Sequence, residues 1–207
     1  MMRVLNLVLA ISVAEYYSFR SLNFMSQTSK NLMEVYKQVV VPGLKSEFGL
    51  TNNLAVPRLI KVVINVGLNA SKKDTKAQEV VVKTLERITG QKPVLALARK
   101  SISNFKIREG MAVGVVVTMR GARMNEFLTK LLRVTFPRVR DFRGLSIKSV
   151  DKQGNLSLGF REHTVFPEIK SDEIESLHGL EVVITTNARS QKLGRRLFEL
   201  LGFPFAN

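Results

Sequence analysis

The chain has 207 residues, 45% of them hydrophobic, which is enough for a core and predicts a single domain by default. Its 32 Lys and Arg outnumber its 17 Asp and Glu, giving a formal net charge of +15. Such an excess opposes compaction unless an anionic partner neutralises it, so nucleic acid is the first candidate partner and an anionic membrane surface the second. The absence of cysteine excludes disulfides and thiolate metal sites.

Residues 1–24 differ in composition from the rest. Arg3 precedes an apolar run, residues 4–14, that resembles a short secretory signal but is too short and too interrupted for a transmembrane helix. A second interpretation takes Met25 as the true start, with residues 1–24 a disordered extension or a wrongly assigned start. We favour this second interpretation, because a secreted chain this basic and without cysteine would be unusual. The alternative is a secreted basic protein that acts at a membrane surface.

The first half of the chain alternates helical and strand patterns. Residues 28–48 have helical spacing, and Pro42-Gly43 is predicted to kink or end that helix. Residues 59–66 alternate as a half-buried strand. The residues predicted to face the core are Ile60, Val62, Ile64 and Val66. The residues predicted to face a partner are Lys61, Val63 and Asn65. A second helix is predicted to end near Thr89, with Gly90 as its stop.

Two short apolar runs, residues 94–98 and 111–119, predict strands joined by a long loop. That loop holds four cations with no acid between them: Arg99, Lys100, Lys106 and Arg108. A basic loop between two strands can reach a polyanion. Ser101 lies in the same loop, and Phe105 either stacks on a base or plugs the loop onto its own hairpin; we favour the plug. Alternate residues of the second strand form a face of small and polar side chains that leaves room for a ligand: Ala112, Gly114, Val116, Thr118 and Arg120.

The second half predicts a helix over residues 122–136 that Pro137 stops, a hairpin around residues 151–155, strands at 156–160 and 180–186, and a final helix that Ser190 caps. One acidic island interrupts the basic chain, with a solvated surface as its simplest role: Glu168, Asp172, Glu173 and Glu175. The element order predicts an α+β fold, a largely antiparallel sheet with helices packed on one face and a long basic hairpin loop.

Catalytic and metal-binding patterns are missing from the sequence. We find no nucleophile–base pattern, no Gly-rich phosphate loop and no carboxylate pair at catalytic spacing, so the chain is not expected to be an enzyme. His163 and His178 have no further ligand at metal spacing. No cofactor and no metal are therefore predicted.

Several short motifs occur in a consistent order between about Met25 and Asn207. They include Ile64-Asn65-Val66-Gly67, Gly90-Gln91-Lys92-Pro93, Ala98-Arg99-Lys100-Ser101, Phe105-Lys106-Ile107-Arg108, Phe166-Pro167-Glu168-Ile169 and Phe203-Pro204-Phe205. Together they resemble the L-five family of bacterial-type large-subunit ribosomal proteins, which bind 5S rRNA in the central protuberance. The resemblance leaves residues 1–24 without a counterpart and makes residues 25–207 one RNA-binding domain.

The resemblance implies a structural role in the ribosome, in the cytoplasm or in an organelle. It implies binding of 5S rRNA, large-subunit rRNA, P-site tRNA and neighbouring large-subunit proteins, and a bridge to a basic small-subunit protein, with no membrane contact. The family's 5S rRNA contacts match Asn65, Gln91 and Thr118, and strand parity adds Lys61 and Arg120. The loop from Arg99 to Arg108 matches the family's tRNA-approaching loop, and the acidic island is the candidate bridge surface.

Overall fold

The computed structural model describes residues 31–68, 75–169 and 177–206, so the predictions for residues 1–24 and Met25 lie outside the described residues. The described residues form a five-stranded sheet with the order β2-β3-β1-β5-β4. The strands are β1 Leu59–Gly67, β2 Val94–Leu97, β3 Ala112–Met119, β4 Leu156–Phe160 and β5 Leu180–Thr186. All four pairings are antiparallel, which confirms the predicted sheet and the α+β class.

In the described ranges, four helices pack on the sheet. Helix α1 runs through the consecutive segments Leu32–Val35, Tyr36–Val40 and Val41–Phe48; α2 is Thr75–Thr89; α3 runs through Gly121–Lys130, Leu131–Thr135 and Phe136–Arg138; α4 is Gln191–Leu200. Their apolar stripes and one face of the sheet share a single buried core, to which Ile64, Leu85, Leu128 and Leu197 belong. The helices therefore cover one face of the sheet, as the sequence predicts. Among the described residues, no helix has both the length and the apolarity needed to span a bilayer.

Neither proline ends its helix, so the prediction that Pro137 stops α3 is wrong, and of the two outcomes predicted for Pro42-Gly43, an end of the helix is excluded. Helix α1 continues through Pro42 to Phe48, and α3 continues through Pro137 to Arg138. In each helix a π turn, Tyr36–Val40 or Leu131–Thr135, lies just before the proline and contains the residue four positions earlier. A proline ring normally clashes with that carbonyl and lacks the N–H that would bond to it. The wider π turn accommodates the ring, so the chain stays helical.

The inward alternation of β1 begins later than predicted. Val62, Ile64 and Val66 are buried as expected, but Ile60 is 40% exposed. The register between β1 and β5 shifts between Leu59 and Lys61, so Ile60 falls outside the regular ladder. The prediction that Ile60 faces the core is therefore wrong, while the assignment of Lys61, Val63 and Asn65 to the other face is confirmed.

The predicted hairpin at residues 151–155 has only one true strand. The first arm is a short 3₁₀ turn, Ile147–Ser149, followed by a single bridge between Val150 and Leu156. The turn is built on Asp151, whose Oδ1 accepts hydrogen bonds from the backbone N–H of Gln153 at 2.9 Å and of Asn155 at 2.7 Å. Slight burial opposes ionisation, yet these bonds and one from the Asn155 side chain hold the pKa of Asp151 below its usual value. The side-chain bonds replace the strand pairing that the sequence predicts.

Candidate nucleic-acid interface

One face of the sheet is turned away from the helices, and we call it the open face. The residues that define it are Lys61, Val63 and Asn65 of β1; Val116 and Thr118 of β3; Ser157 and Gly159 of β4; and Glu181, Val183 and Thr185 of β5. All of them are half-buried or exposed, whereas the alternate residues of β1 and β5 that lie between them are buried. This alternation is what a strand with one solvated face requires.

Strand pairing brings four of the predicted RNA contacts together. Val63 pairs with Thr118, and Asn65 pairs with Val116, so Asn65 and Thr118 lie on neighbouring strands two residues apart in register. Lys61 lies two residues before Val63 on the same face. Arg120 directly follows Met119, whose partner is Val62, so Arg120 stands at the Lys61 end of the face and is exposed. The open face thus has two cations, Lys61 and Arg120, at one end, and the Asn65 amide lies further along β1.

Gln91 is held at the edge of β3. Gly90, with φ of 65°, ends α2 in a left-handed conformation that favours glycine. The backbone N–H of Gln91 then donates to Thr89 Oγ1 at 3.2 Å, and its side-chain Nε2 donates to the Thr118 carbonyl at 3.1 Å. Gln91 is half-buried and therefore adjoins Thr118 through a fixed side chain. Asn65, Gln91 and Thr118, which match the family's 5S rRNA contacts, therefore lie close together at β1 and β3.

The connection between β2 and β3, residues 98–111, folds back on itself. Ile102 and Ile107 exchange backbone hydrogen bonds of 2.9 and 3.1 Å, and Ser101 Oγ accepts from the Glu109 backbone N–H at 2.9 Å. Ser101 is therefore engaged within the loop. The four predicted cations are all exposed on it: Arg99, Lys100, Lys106 and Arg108. We call residues 98–111 the basic loop.

Phe105 does not plug the basic loop. Its side chain is 67% exposed, in a short 3₁₀ turn, Ser103–Phe105, that ends at the left-handed Lys106. The favoured interpretation of a residue packed onto its own hairpin is therefore wrong. Ile102, which precedes the turn, is also 46% exposed, so neither of these two apolar side chains is buried against the hairpin.

Glu168 lies against the helices. Its Oε1 is 2.6 Å from Lys130 Nζ on α3, and the same ammonium donates to the Ile88 carbonyl at 2.6 Å. Both side chains of the ion pair are mostly buried, with 23% and 29% exposure. The other members of the acidic island, Asp172, Glu173 and Glu175, lie outside the described residues.

The two histidines, far apart in sequence, form a stacked pair. Their ring centroids are 4.0 Å apart and the rings are 10° from parallel. His163 is buried, and its backbone N–H donates to the His178 carbonyl at 3.1 Å, which ties the start of the β4–β5 connection to its end. No cluster of three or more His, Asp or Glu side chains suited to a metal ion occurs in the described part of the chain.

Glu181 lies on the open face but is not among the residues that the sequence predicts to contact RNA. It is exposed on β5 and pairs directly with Asn65 on one side and Gly159 on the other. The alternation of Glu181, Val183 and Thr185 marks the outward parity of β5 in the sequence. That signal is readable, but which β1 residue stands beside Glu181 depends on the strand register.

Two family models match most of the chain. The model for Ribosomal protein L5 matches residues 52–108, and the model for the ribosomal L5P family C-terminus matches residues 112–205. The chain is 52% identical over 174 residues to the large ribosomal subunit protein uL5 of Halothermothrix orenii, which covers 84% of this chain and 97% of the relative. It is 50% identical over 175 residues to the uL5 of Caldanaerobacter subterraneus subsp. tengcongensis, covering 84% and 98% respectively.

Proposed function

Because this chain belongs to the ribosomal protein L5 family and is a structural, non-enzymatic constituent of the large ribosomal subunit, we propose that its open face binds 5S rRNA. One observation carries the proposal. Asn65, Thr118 and Lys61 share a sheet face that no described helix covers, with Arg120 at its cationic end. Uncovered polar side chains on a rigid sheet are a suitable surface for a folded RNA.

The chemistry of the open face suits a nucleic-acid backbone. Lys61 and Arg120 attract phosphates through charge and counterion release. The Asn65 amide and the Thr118 hydroxyl can hydrogen-bond to phosphate oxygens or to 2′-hydroxyls, the groups by which proteins distinguish RNA from DNA. Two half-buried valines between these residues, Val63 and Val116, form an apolar surface that a ribose can contact.

The first prediction tests this face. Replacing Asn65→Ala together with Thr118→Ala should weaken 5S rRNA binding by about 1–3 kcal/mol, because two hydrogen bonds are lost at roughly 0.5–1.5 kcal/mol each. A filter-binding titration against 5S rRNA measures the change. The matched control, Asn125→Ala with Thr129→Ala, removes the same two groups from α3 on the helical side. If the open-face variant is folded and binds as tightly as the control, the open face is not the 5S rRNA site.

We further propose that the basic loop contacts large-subunit rRNA and P-site tRNA, and so helps to attach 5S rRNA to the large subunit. Four exposed cations without an intervening acid support this. The acidic island, in turn, is proposed to bridge to a basic small-subunit protein. Since Glu168 is already paired with Lys130, the other three acids would carry that bridge: Asp172, Glu173 and Glu175.

A further inference from the structure

Glu181 is a carboxylate on a surface otherwise suited to an anion. Its strand neighbours on the open face are Asn65 of β1 and Gly159 of β4. It is exposed and forms no ion pair with any residue that the structure describes. A phosphate placed over this point would be repelled, so whatever part of the RNA lies here should be something other than backbone.

The space around Glu181 is open. A Cβ added to Gly159 would meet nothing within 4 Å, so the surface of β4 beside the carboxylate is bare. On the other side, Asn65 Oδ1 is 3.5 Å from the position of a Cβ on Gly114, which shows that the Asn65 amide leans towards β3. The backbone of β4 beside the Glu181 carboxylate is therefore uncovered, and a ligand can approach the carboxylate from that side.

Lys61 and Arg120, the cations of the open face, lie too far from Glu181 to neutralise it. Lys61 is four residues from Asn65 along β1, about 13 Å at the rise of an extended strand. That exceeds the Debye length of about 8 Å at physiological salt. Arg161, two residues beyond Gly159, is exposed and is not ion-paired with Glu181. The open face is consequently polarised, with phosphate-binding charge at the Lys61 end and an acceptor-only group at the Asn65 end.

An ionised carboxylate has two acceptor oxygens and no donor, and it can accept two parallel hydrogen bonds. Among RNA groups, the Watson–Crick edge of an unpaired guanine presents N1–H and N2–H side by side, which matches that geometry. We propose that Glu181 receives the Watson–Crick edge of an unpaired guanine of 5S rRNA, while Asn65 contacts the same nucleotide. Recognition of single-stranded bases by their Watson–Crick edges is common for RNA. This inference rests on the proposed binding of 5S rRNA by the open face.

The test compares Glu181→Gln with Glu126→Gln, which removes the same charge from an exposed position on α3. Each variant is titrated with 5S rRNA and with unfractionated tRNA as a nonspecific competitor. Glu181→Gln should weaken 5S rRNA binding roughly 5- to 100-fold, the range of one lost bidentate base contact. Its affinity for tRNA should stay equal or rise, because a repulsive charge is gone, and Glu126→Gln should not lose affinity for 5S rRNA. Equal or tighter binding of 5S rRNA by Glu181→Gln overturns the inference.

Chemical probing identifies the base. A reagent that modifies N1 and N2 of unpaired guanine should find one guanine protected in the wild-type complex and reactive in the Glu181→Gln complex. If no guanine changes its reactivity between the two complexes, the assignment of guanine is wrong. Failure of the proposed function looks different: the wild-type chain would not bind 5S rRNA, or the Asn65→Ala, Thr118→Ala variant would bind it normally.

Discussion

Gly154 and Gly194 touch each other where the 151–155 turn meets α4. A Cβ added to Gly194 would lie 2.4 Å from Gly154 Cα and 2.5 Å from its carbonyl oxygen. Gly154, at φ of 86°, is confined in the same way, because its Cβ would lie 2.9 Å from the Ser190 carbonyl oxygen. All of these neighbours are backbone atoms, which cannot rotate aside as a side chain would. The contact fixes the last helix against the sheet.

Replacing Gly194→Ala should destabilise the chain by about 1–3 kcal/mol, since the new methyl group must separate the turn from α4. A fall in the free energy of unfolding would be informative, because alanine in a helix interior is otherwise favoured over glycine by about 1 kcal/mol. Urea unfolding measures the difference. Gly67→Ala is the control: its Cβ would meet nothing within 4 Å, and we expect a change within roughly 0.5 kcal/mol. If the two variants are equally stable, the 151–155 turn can move away from α4 at no cost in stability.

At the scale of single residues, the sequence predicts which face a residue occupies better than which residues it meets. Alternation alone places Asn65 and Thr118 outward, because a strand has a period of two. Alternation cannot place Glu181 next to Asn65, since the two are more than a hundred positions apart and only the β1–β5 register joins them. The same limit conceals the stacking of His163 on His178 and the contact of Glu168 with Lys130.

The basic loop is a separate element that can be tested as a unit. Changing Arg99, Lys100, Lys106 and Arg108 to Gln should make the salt dependence of 5S rRNA binding shallower if the loop reaches its backbone. Each lost phosphate contact removes about 0.7–0.9 from the slope of log affinity against log salt. The charge-matched control changes to Gln four exposed cations from the last residue of α3 to the segment before β4: Arg138, Arg140, Arg143 and Lys148.

An unchanged slope for the loop variant would show that the loop does not touch 5S rRNA in the binary complex. Binding of P-site tRNA by reassembled ribosomes then measures the remaining part of the proposal. If the loop variant also binds tRNA as the control does, the basic loop contacts neither 5S rRNA nor P-site tRNA. Phe105 is left unchanged in both variants, so that any loss reflects charge rather than the exposed ring.

Among whole elements, the sequence identifies the strands and helices but not their internal irregularities. The two π turns follow no periodic signal, and each proline looks like a stop because a regular α-helix cannot hold it. Likewise, the hairpin predicted around residues 151–155 requires a strand before the turn, yet the Asp151 side chain binds the backbone N–H groups of the turn and only one bridge forms there. In both cases a local hydrogen-bonding arrangement overrides the pattern.

Charge is distributed unevenly over the molecule as a whole. The net charge of +15 is what a protein embedded in RNA needs, because each RNA phosphate brings a negative charge. The acidic residues that the sequence concentrates near residue 170 would repel RNA phosphates, as Glu181 does, but over a longer segment. A basic protein surface would be attracted to such a segment, and exposed ion pairs there would be individually weak, about 0.2–1 kcal/mol, and screened by salt.

The last prediction tests that segment by the association of ribosomal subunits. Changing Asp172→Asn, Glu173→Gln and Glu175→Gln together should weaken association at least roughly threefold at low salt, with the difference shrinking as salt rises and with 5S rRNA binding unchanged. Glu168→Gln should act differently: it leaves Lys130 without its carboxylate, so the free energy of unfolding should fall while association is retained.

A triple change at exposed helix positions is the charge control: Glu34→Gln, Glu79→Gln and Glu126→Gln. If the control weakens association as much as the island variant, only net charge matters and the island forms no bridge. If the island variant instead loses 5S rRNA binding while folded, the segment faces RNA and its proposed orientation is wrong.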